Sequence, residues 1–319
     1  MSVTRVVVTG GLGFLGVSLA RRLAAEELVL FDAPAAADPP ADVAAHAEVV
    51  RGDVRDAPLV HELAQGAAAV VHLASIVSGQ GEQDFDLALS VNLDGGRNVL
   101  EACRALGTGP RVVFASSVAV FGGSAMPEVV TDRTRHTPET TYGTTKAILE
   151  LLVNDYTRKG FVDGRTARLP TVIVRPGAAN PAASSFASAV FREPLAGRDY
   201  TVPVGPETRL PVIGARTVVA CLAKLLELEG AALGDDRALT LPSLAVTVRD
   251  MLESLARVAG DRPLGTVTIE PDPQIEAIVS TWARRASSER ADELGLPRDA
   301  SLDEIVRAYV ADYVDSPSA

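Results

Sequence analysis

The sequence contains few cysteines, few aromatic residues and few lysines, and its acidic residues outnumber its basic ones. Of its 319 residues two are cysteines, 4% are aromatic and three are lysines, and the formal net charge is −11. This charge argues against nucleic acid as a partner, because little would neutralise a phosphate backbone. Cys103 and Cys221 are far apart and lack the spacing of metal ligands, so we expect buried thiols. His46, His61 and His136 lack acidic or cysteine neighbours, and no metal site is predicted.

Long hydrophobic runs are also missing. No window of the sequence approaches the roughly 20 apolar residues that a membrane-spanning helix needs. The first residues, MSVTRVVVTGG, pass directly into a strand–turn pattern without the basic and apolar regions of a signal peptide. We therefore expect a cytoplasmic protein without a membrane partner. With 47% hydrophobic and 22% charged residues, the composition is typical of a globular protein.

Short β-branched runs alternate with Ala- and Leu-rich stretches through the first half of the chain. Continuous apolar strands alternating with helices predict an α/β, Rossmann-like, doubly wound parallel sheet. Strands are predicted at Val6–Thr9, Leu28–Phe31, Val49–Val50, Ala69–Leu73, Arg111–Ala115 and Thr171–Arg175. Helices are predicted at Phe14–Ala25, for about a dozen residues from Asn92, at Val212–Leu228, Ile275–Trp282, Ser287–Leu294 and Leu302–Tyr313.

A glycine-rich turn, TGGLGFLG, lies between the first predicted strand and the first helix. Gly10 suits the tight turn, Gly13 lets the backbone approach a pyrophosphate, and Gly16 allows the helix to pack on the sheet. The pyrophosphate would bind at the amino end of the helix, next to Phe14 and Leu15. We therefore interpret residues 1–175, with a return segment at about 212–242, as a dinucleotide-binding domain. Residues 176–211 and 243–319 are interpreted as a smaller, mostly C-terminal substrate-binding region.

Two acidic residues follow predicted strands near this turn. Asp32, at the end of the second strand, can accept hydrogen bonds from ribose hydroxyls and would repel a 2′-phosphate, which favours NAD over NADP. A strand-terminal surface carboxylate is the alternative for Asp32. Asp53, in RGDVRD, can reach the adenine amino group beside Val54, and a helix N-cap is its alternative role.

Tyr142 and Lys146 lie four residues apart in a helical stretch, TYGTTKAILELL. This spacing places both side chains on one face of the helix. An ammonium group near a phenol lowers the phenol pKa from its ordinary value of about 10, and so creates a general base for an alcohol. Ser116 and Ser117, in FASSVAVFG, directly follow the predicted strand Arg111–Ala115, at the sheet edge where a hydroxyl can hold the substrate oxygen.

The glycine-rich turn, Asp32, GDV, HLAS, VNLDG, SSVAVFG, YGTTK and RPG resemble, in order and spacing, the extended short-chain dehydrogenase/reductase family. This resemblance implies that Ser117 is the catalytic hydroxyl, Tyr142 the base, and Lys146 the residue that also holds the nicotinamide ribose. Asn92 matches a structural or proton-relay asparagine of the family. Further cofactor positions implied by the resemblance are Leu73, Ala74 and Ser75 near the ribose and pyrophosphate, and Pro176 and Gly177 beside the nicotinamide.

Within that family the chain is most similar to the bacterial D-erythronate dehydrogenases, in VSGQGEQDFDLALSVNLDG, RKGFVDGRTARLPTVIVRPG, REPLAG and IVSTWARRASSERADELGL. This likeness implies NAD-dependent oxidation of the C2 hydroxyl of a small sugar acid. The group typically has a lysine after RPG, but this chain has Ala178 and Ala179 in RPGAAN. The carboxylate then needs another ligand, and an arginine suits it. Besides Ser117 and Tyr142, the candidate substrate ligands are Ser75, Asn180, Ser185, Arg192 and Arg216, with surface or ion-pair roles as the alternative for both arginines.

Other functions stay open on the same fold. A nucleotide-sugar 4-epimerase also begins with hydride abstraction but retains NAD, so free NADH would not accumulate. A dehydratase typically has an Asp-Glu pair where Val118 and Ala119 stand, which argues against dehydration. A non-catalytic dinucleotide sensor is less consistent with the intact Ser117, Tyr142 and Lys146.

Two further expectations concern packing. In the family, the helices that start near Asn92 and Tyr142 often pair with their copies, so we expect a homodimer. The second helix would contribute Leu149, Leu152, Val153 and Tyr156, although burial within one chain explains these residues equally well. His72, at the end of a strand in VVHLAS, is interpreted as a core histidine or as one that contacts a catalytic residue.

Overall fold

The computed structural model describes residues 4–23, 25–177 and 183–316. The strands are β1 Arg5–Thr9, β2 Glu27–Asp32, β3 Glu48–Arg51, β4 Ala69–His72, β5 Arg111–Ser117, β6 Val129–Val130, β7 Asp163–Leu169, β8 Thr171–Ile173, β9 Tyr200–Val202, β10 Arg209–Gly214, β11 Ala238–Thr240, β12 Leu244–Thr247, β13 Val267–Ile269 and β14 Arg285–Ala286.

The α-helices are α1 Phe14–Ala20, α2 Ala41–Ala44, α3 Ala57–Leu63, α4 Ser78–Gln83, α5 Phe85–Ala88, α6 Gly95–Ala105, α7 Thr141–Arg158, α8 Phe186–Leu195, α9 Ala215–Glu227, α10 Val248–Ala259, α11 Pro273–Ser280, α12 Glu289–Glu293 and α13 Leu302–Tyr309. π-helical turns span Leu89–Asp94 and Val310–Val314, and short 3₁₀ turns occur at Val118–Val120, Ala183–Ser185 and Gly230–Leu233. Among the described residues, no helix is long and apolar enough to cross a membrane.

The chain divides into two compact units. The first comprises Met1–Val120, Thr140–Arg168 and Val219–Leu239, and the second comprises Phe121–Glu139, Leu169–Val218 and Thr240–Ala319. Compared with the expected division at residue 175, the segment Phe121–Glu139 belongs to the second unit, because its strand β6 pairs with β14 there. The return segment is also shorter than the expected 212–242, since β10 is a strand of the second unit.

The first unit is built on a seven-stranded sheet of order β11-β7-β5-β4-β1-β2-β3. The pairs of β1 with β2 and β4, of β2 with β3, and of β4 with β5 are parallel. The predicted Rossmann-like fold is confirmed. Its strands are continuous apolar runs because both faces are covered, and Val6, Val7 and Val8 are all buried. A Cβ on Gly96 of α6 would lie 2.6 Å from Leu149 Cδ1 of α7, so this helix pair approaches closely.

The second unit combines a three-stranded sheet, β12-β10-β8, with two two-stranded sheets. Its core joins Phe186 and Phe191 of α8 with Met251 of α10 and Ile305 and Val306 of α13. The predicted tail helices are confirmed as α11, α12 and α13, with different ends.

Three further predicted helices differ from the structure. The helix expected from Asn92 is α-helical only from Gly95, and Asn92 itself lies in the π-helical turn before it. The helix expected at Val212–Leu228 begins only at Ala215, because Val212 and Ile213 pair with β8 as part of β10. The first helix ends at Ala20 instead of Ala25.

A buried ion pair joins α7 to β7 in the first unit. Arg168 Nε donates to both carboxylate oxygens of Glu150, at 3.1 and 3.0 Å, and Arg168 Nη2 donates to Oε2 at 2.8 Å. The two side chains are only 3% and 2% exposed. Ser116 Oγ of β5 also donates to Glu150. Three elements of the sheet and helix layers therefore depend on one carboxylate.

Replacing Glu150 by leucine should destabilise the first unit by about 3–5 kcal/mol, because Arg168 would keep a buried charge without its partner. The control is Asp155→Asn on the same helix, where an exposed pair with Arg158 is lost and the expected cost is below about 1 kcal/mol. Urea unfolding followed by circular dichroism measures both. Equal losses in the two variants would contradict the assigned role of Glu150.

Candidate active site

The glycine-rich turn forms a close backbone cradle between β1 and α1. Gly10 has φ +70°, and a Cβ there would lie 2.6 Å from the Ala74 nitrogen. A Cβ on Gly16 would lie 2.5 Å from the carbonyl oxygens of Gly10 and Gly11. Gly13 is the N-cap of α1, so Phe14 and Leu15 take the first two helical positions. Backbone without side chains at these positions leaves space that fits a pyrophosphate. Gly11, which the sequence analysis did not single out, is also closely approached: a Cβ there would lie 2.7 Å from the Val8 carbonyl oxygen.

Asp32 is fixed against this turn at the end of β2. Its Oδ2 accepts a hydrogen bond from Leu12 N at 2.9 Å, and its Oδ1 accepts one from Ala33 N at 2.8 Å. These two backbone donors hold the carboxylate beside the glycine turn. This position agrees with a role in holding the ribose of a dinucleotide.

Asp53 lies after β3 and is bound by its neighbour Arg55. Hydrogen bonds from the Arg55 guanidinium, opposed by partial burial, lower the pKa of the Asp53 carboxyl. The N-cap of α3 is Asp56, whose side chain accepts from Leu59 N, so Asp53 does not take the alternative capping role. Val54 is buried, and a Cβ on Gly95 of α6 would lie 2.6 Å from its Cγ1.

Asn92 anchors the loop after β4. It is buried within a π-helical turn, a feature that often occurs at functional sites. Its Oδ1 accepts from Ile76 N at 2.7 Å and from Ser75 Oγ at 3.2 Å, and its Nδ2 donates to Thr145 Oγ1 at 3.4 Å. Thr145 Oγ1 donates in turn to the carbonyl of Tyr142 at 2.8 Å. Asn92 thus links the Leu73–Ser75 loop, through Thr145, to the backbone of the predicted base.

Tyr142 and Lys146 lie in the first turns of α7, as predicted. The start of α7 is set by Thr140, whose Oγ1 accepts from Gly143 N at 3.0 Å. Lys146 Nζ lies 5.4 Å from the centroid of the Tyr142 ring. The structure therefore brings the phenol and the amine together on one face of the helix.

Lys146 is almost fully buried. Its Nζ donates to the Ala115 carbonyl at 2.8 Å and lies 4.8 Å from the centroid of the Phe114 ring. Burial lowers the pKa of Lys146 to about 7, and the nearby Glu150 carboxylate acts in the opposite direction. Near neutral pH the Lys146 amine can therefore be either protonated or deprotonated.

The two adjacent serines of β5 have different environments. Ser116 is buried and bonded to Glu150. Ser117 is half-buried, and its Oγ accepts from Ala119 N at 3.1 Å. Since that bond uses a lone pair of the oxygen and leaves the O–H to donate, Ser117 suits a ligand oxygen better than Ser116.

His72 lies in the core beneath this site. Its Nδ1 is 2.7 Å from Thr9 Oγ1, and its ring stacks on Phe114 with centroids 5.7 Å apart. Burial, and then the charge of Lys146, lower the pKa of His72 to about 3. It is thus a neutral core histidine that shares Phe114 with Lys146, in agreement with the interpretation from the sequence.

The remaining predicted substrate and cofactor residues lie in the second unit. Pro176 and Gly177 follow β8, Gly177 with φ +82°. Ser185 is half-buried at the N-cap of α8. Ala178, Ala179 and Asn180 lie outside the described residues.

Both candidate arginines are engaged within the second unit. Arg192 is 4% exposed, and its guanidinium donates to Glu193 Oε1 at 2.7 Å and to the Arg175 carbonyl at 3.1 Å. Arg216 donates to both carboxylate oxygens of Asp312. These are the ion pairs that the sequence left as the alternative to substrate binding. Within the described residues, no group of three or more His, Cys, Asp or Glu side chains could hold a metal ion.

The lowered pKa of Lys146 predicts a specific dependence of stability on pH. The folded chain releases this proton near pH 7 and the unfolded chain only near the ordinary lysine pKa of 10.5, so unfolding takes up a proton between these values. The free energy of unfolding should therefore rise from pH 7 to 9 relative to Lys146→Met, by at most about 1.4 kcal/mol per pH unit.

Urea unfolding of the apo protein at several pH values measures this difference, with Lys159→Met at the exposed end of α7 as control. A constant difference between wild type and Lys146→Met across this range would refute the assignment.

Comparison with known proteins identifies the family of this chain. Residues 6–232 match the model of the NAD dependent epimerase/dehydratase family. A D-erythronate dehydrogenase of Cupriavidus necator is 48% identical over 96% of this chain and 98% of that protein. A D-erythronate dehydrogenase of Haemophilus influenzae is 41% identical over the same shares.

A solved structure titled as a nucleoside-diphosphate-sugar epimerase from Agrobacterium tumefaciens is 34% identical, with a TM-score of 0.89 over 98% of this chain and 95% of that one. The L-threonine dehydrogenase from Phytophthora infestans is 28% identical, with a TM-score of 0.85 over 97% and 98%. The matched residues 6–232 are more than half of the sequence, and they include the glycine turn, Asp32 and the Tyr142–Lys146 pair. The chain therefore belongs to the NAD dependent epimerase/dehydratase family.

Proposed function

We propose that this protein oxidises the C2 hydroxyl of a small sugar acid, D-erythronate or a close analogue, to the 2-oxo acid with NAD. The observation that carries the proposal is the half-buried Tyr142 beside the buried Lys146, in the same unit as the glycine cradle and Asp32. The substrate follows from the two D-erythronate dehydrogenases that match nearly the whole chain.

The nucleotide would be held by residues of the first unit. The cradle of Gly10, Gly13 and Gly16 binds the pyrophosphate, and Asp32 accepts hydrogen bonds from the adenosine ribose. Asp53 and Val54 lie at the adenine end, and the loop Leu73–Ser75 borders the ribose and pyrophosphate. Pro176 and Gly177 of the second unit are assigned to the nicotinamide end. When bound, NAD supplies the acceptor for the hydride that leaves C2.

The proton of the C2 hydroxyl would move to Tyr142. As a phenolate, its Oη accepts that proton while the electron pair of the C2–H bond leaves with the hydride, so C2 becomes a carbonyl. The ammonium form of Lys146 favours the phenolate, because a nearby positive charge lowers a phenol pKa. Ser117 Oγ–H donates to the substrate oxygen. Asn92 holds the helix turn that carries Tyr142.

The substrate carboxylate and the other hydroxyls need ligands outside the Tyr142–Lys146 pair. Ser75 Oγ already donates within the chain and therefore can act as an acceptor for a substrate hydroxyl. Ser185 and Asn180 are further candidate ligands of the substrate. Arg192 and Arg216 are assigned structural ion pairs, because Arg192 is buried and Nε and Nη2 of Arg216 both donate to Asp312.

A nucleotide-sugar 4-epimerase is the second candidate, favoured by the likeness to the Agrobacterium tumefaciens epimerase structure. The same Tyr142 and Lys146 would begin that reaction. An epimerase, however, returns the hydride to its substrate, so free NADH does not accumulate. NADH release separates the two functions.

Purified protein with NAD and D-erythronate should form NADH, and Tyr142→Phe should lower kcat by about 10²–10⁴, because the phenyl ring lacks the proton-accepting oxygen. The matched control is Tyr156→Phe on the same helix, whose hydroxyl bonds to Glu101 away from the site. It should keep its activity. NADH absorbance with a panel of four- to six-carbon aldonic acids measures both variants.

Activity with another aldonic acid would keep the dehydrogenase and revise the substrate. Absence of NADH with every acid, together with interconversion of nucleotide sugars, would replace the proposal by the epimerase. Activity that survives Tyr142→Phe would remove Tyr142 as the base.

We also propose that the protein acts in the cytoplasm and forms a homodimer through α7 and α6, the helix that follows the π-helical turn around Asn92. Of the expected interface residues, Leu149 and Val153 are buried within the chain. Exposed apolar side chains lie on α7 at Leu151, 64% exposed, and on the short helix α5, just before the π-helical turn, at Phe85, 59% exposed. Burying such side chains against a second copy would remove them from water.

Leu151→Glu should shift the protein from dimer to monomer. In a two-fold interface the same surface of both subunits is buried, so two carboxylates would be buried there without partners. Sedimentation velocity at several concentrations measures this. Ile278→Glu, at a 47% exposed position of α11 in the second unit, should leave the dimer intact. A wild-type protein that sediments as a monomer at all concentrations would contradict the interface.

A further inference from the structure

The strand next to Asp32 ends in an arginine. In the parallel pair of β2 and β3, Asp32 is the register partner of Arg51. Parallel strands end at the same edge of a sheet, and residues in register lie on adjacent strands about 4.8 Å apart. Arg51 therefore lies on the strand next to Asp32, whose carboxylate is proposed to bind the adenosine ribose.

The guanidinium of Arg51 extends over the loop that follows β2. Its Nη1 donates to the Ala36 carbonyl at 2.7 Å and lies 3.5 Å from the Pro34 carbonyl. Its Nη2 donates to Asp38. The Arg51 side chain is 30% exposed and that of Asp38 is 92% exposed, so Asp38 is a solvated partner that contributes little to stability.

The chain thus combines an anion and a cation at one end of the proposed nucleotide site. The Asp32 carboxylate is held by two backbone amides and would repel a phosphate on the ribose 2′-oxygen. A guanidinium is the group that suits such a phosphate, because it offers two parallel N–H donors.

We propose that Arg51 is a second nucleotide-specificity residue: it holds the loop of residues 33–38 at the ribose end of the NAD site, and it is a latent ligand for the 2′-phosphate that Asp32 excludes. The inference rests on NAD binding by the first unit and is independent of which substrate is oxidised. The preference for NAD then depends on the Asp32 charge and not on the lack of a cation.

Calorimetric titration with NAD and with NADP tests the second half of this inference, since the two nucleotides differ only by the 2′-phosphate. Asp32→Ser should raise the affinity for NADP relative to NAD by about tenfold or more. Adding Arg51→Gln to Asp32→Ser should remove about tenfold of the NADP affinity and leave NAD binding within about threefold. Arg51→Lys in the same background should retain part of the increased NADP affinity, because lysine keeps the positive charge but lacks the two parallel N–H donors of a guanidinium.

The matched control is Asp32→Ser with Arg21→Gln. Arg21 also forms an exposed pair with an aspartate, Asp42, in the same unit, and its loss should leave the NADP affinity unchanged. If Arg51→Gln and Arg21→Gln have equal effects on NADP, or if Asp32→Ser does not raise NADP affinity, the latent site is overturned.

Hydrogen exchange of the single variant Arg51→Gln tests the first half without any nucleotide. Loss of the bonds to Ala36 and Asp38 should speed amide exchange in residues 33–38 compared with wild type. Unchanged exchange there would overturn the loop-holding role. Both readouts are separate from sugar-acid oxidation, so a failure of the proposed substrate leaves them interpretable.

Discussion

The burial of the Lys146 ammonium is the constraint on which the site depends. A charge in the core is costly unless polar groups compensate it, and this chain provides the Ala115 carbonyl, the Phe114 ring and, four residues along the helix, Glu150. Glu150 is itself held by Arg168. The position of an amine that can stabilise a phenolate is therefore maintained by the packing of α7 on β5 and β7.

The nucleotide end of the first unit follows a different principle, the removal of side chains. Gly10 and Gly16 leave no room for a Cβ against neighbouring backbone, and the space they spare suits a pyrophosphate. Charge enters only at the edge, with Asp32 and Arg51 in register on adjacent strands. We thus propose that close backbone approach sets where the dinucleotide binds, and that two opposite charges set which dinucleotide binds.

In the second unit, tertiary contacts give two arginines a different role from the one that the sequence suggests. Arg192 and Arg216 are plausible carboxylate ligands in the sequence, since each is an arginine in the region assigned to the substrate. In the folded chain Arg192 binds Glu193 and the Arg175 carbonyl, and Arg216 binds Asp312. A carboxylate 96 residues away from Arg216 in the chain has no local signal, because ion-pair partners are chosen by tertiary packing.

The sequence by itself determined the alternation of strands and helices, the glycine turn, Asp32 and the four-residue spacing of Tyr142 and Lys146. These are local properties: they depend on the periodicity of apolar residues and on single residues with a distinctive backbone or charge. Only the tertiary structure decided that Val212 and Ile213 form a strand and that Glu150 pairs with Arg168. Such outcomes depend on which distant segments meet, and a short apolar or charged stretch carries no information about its partner.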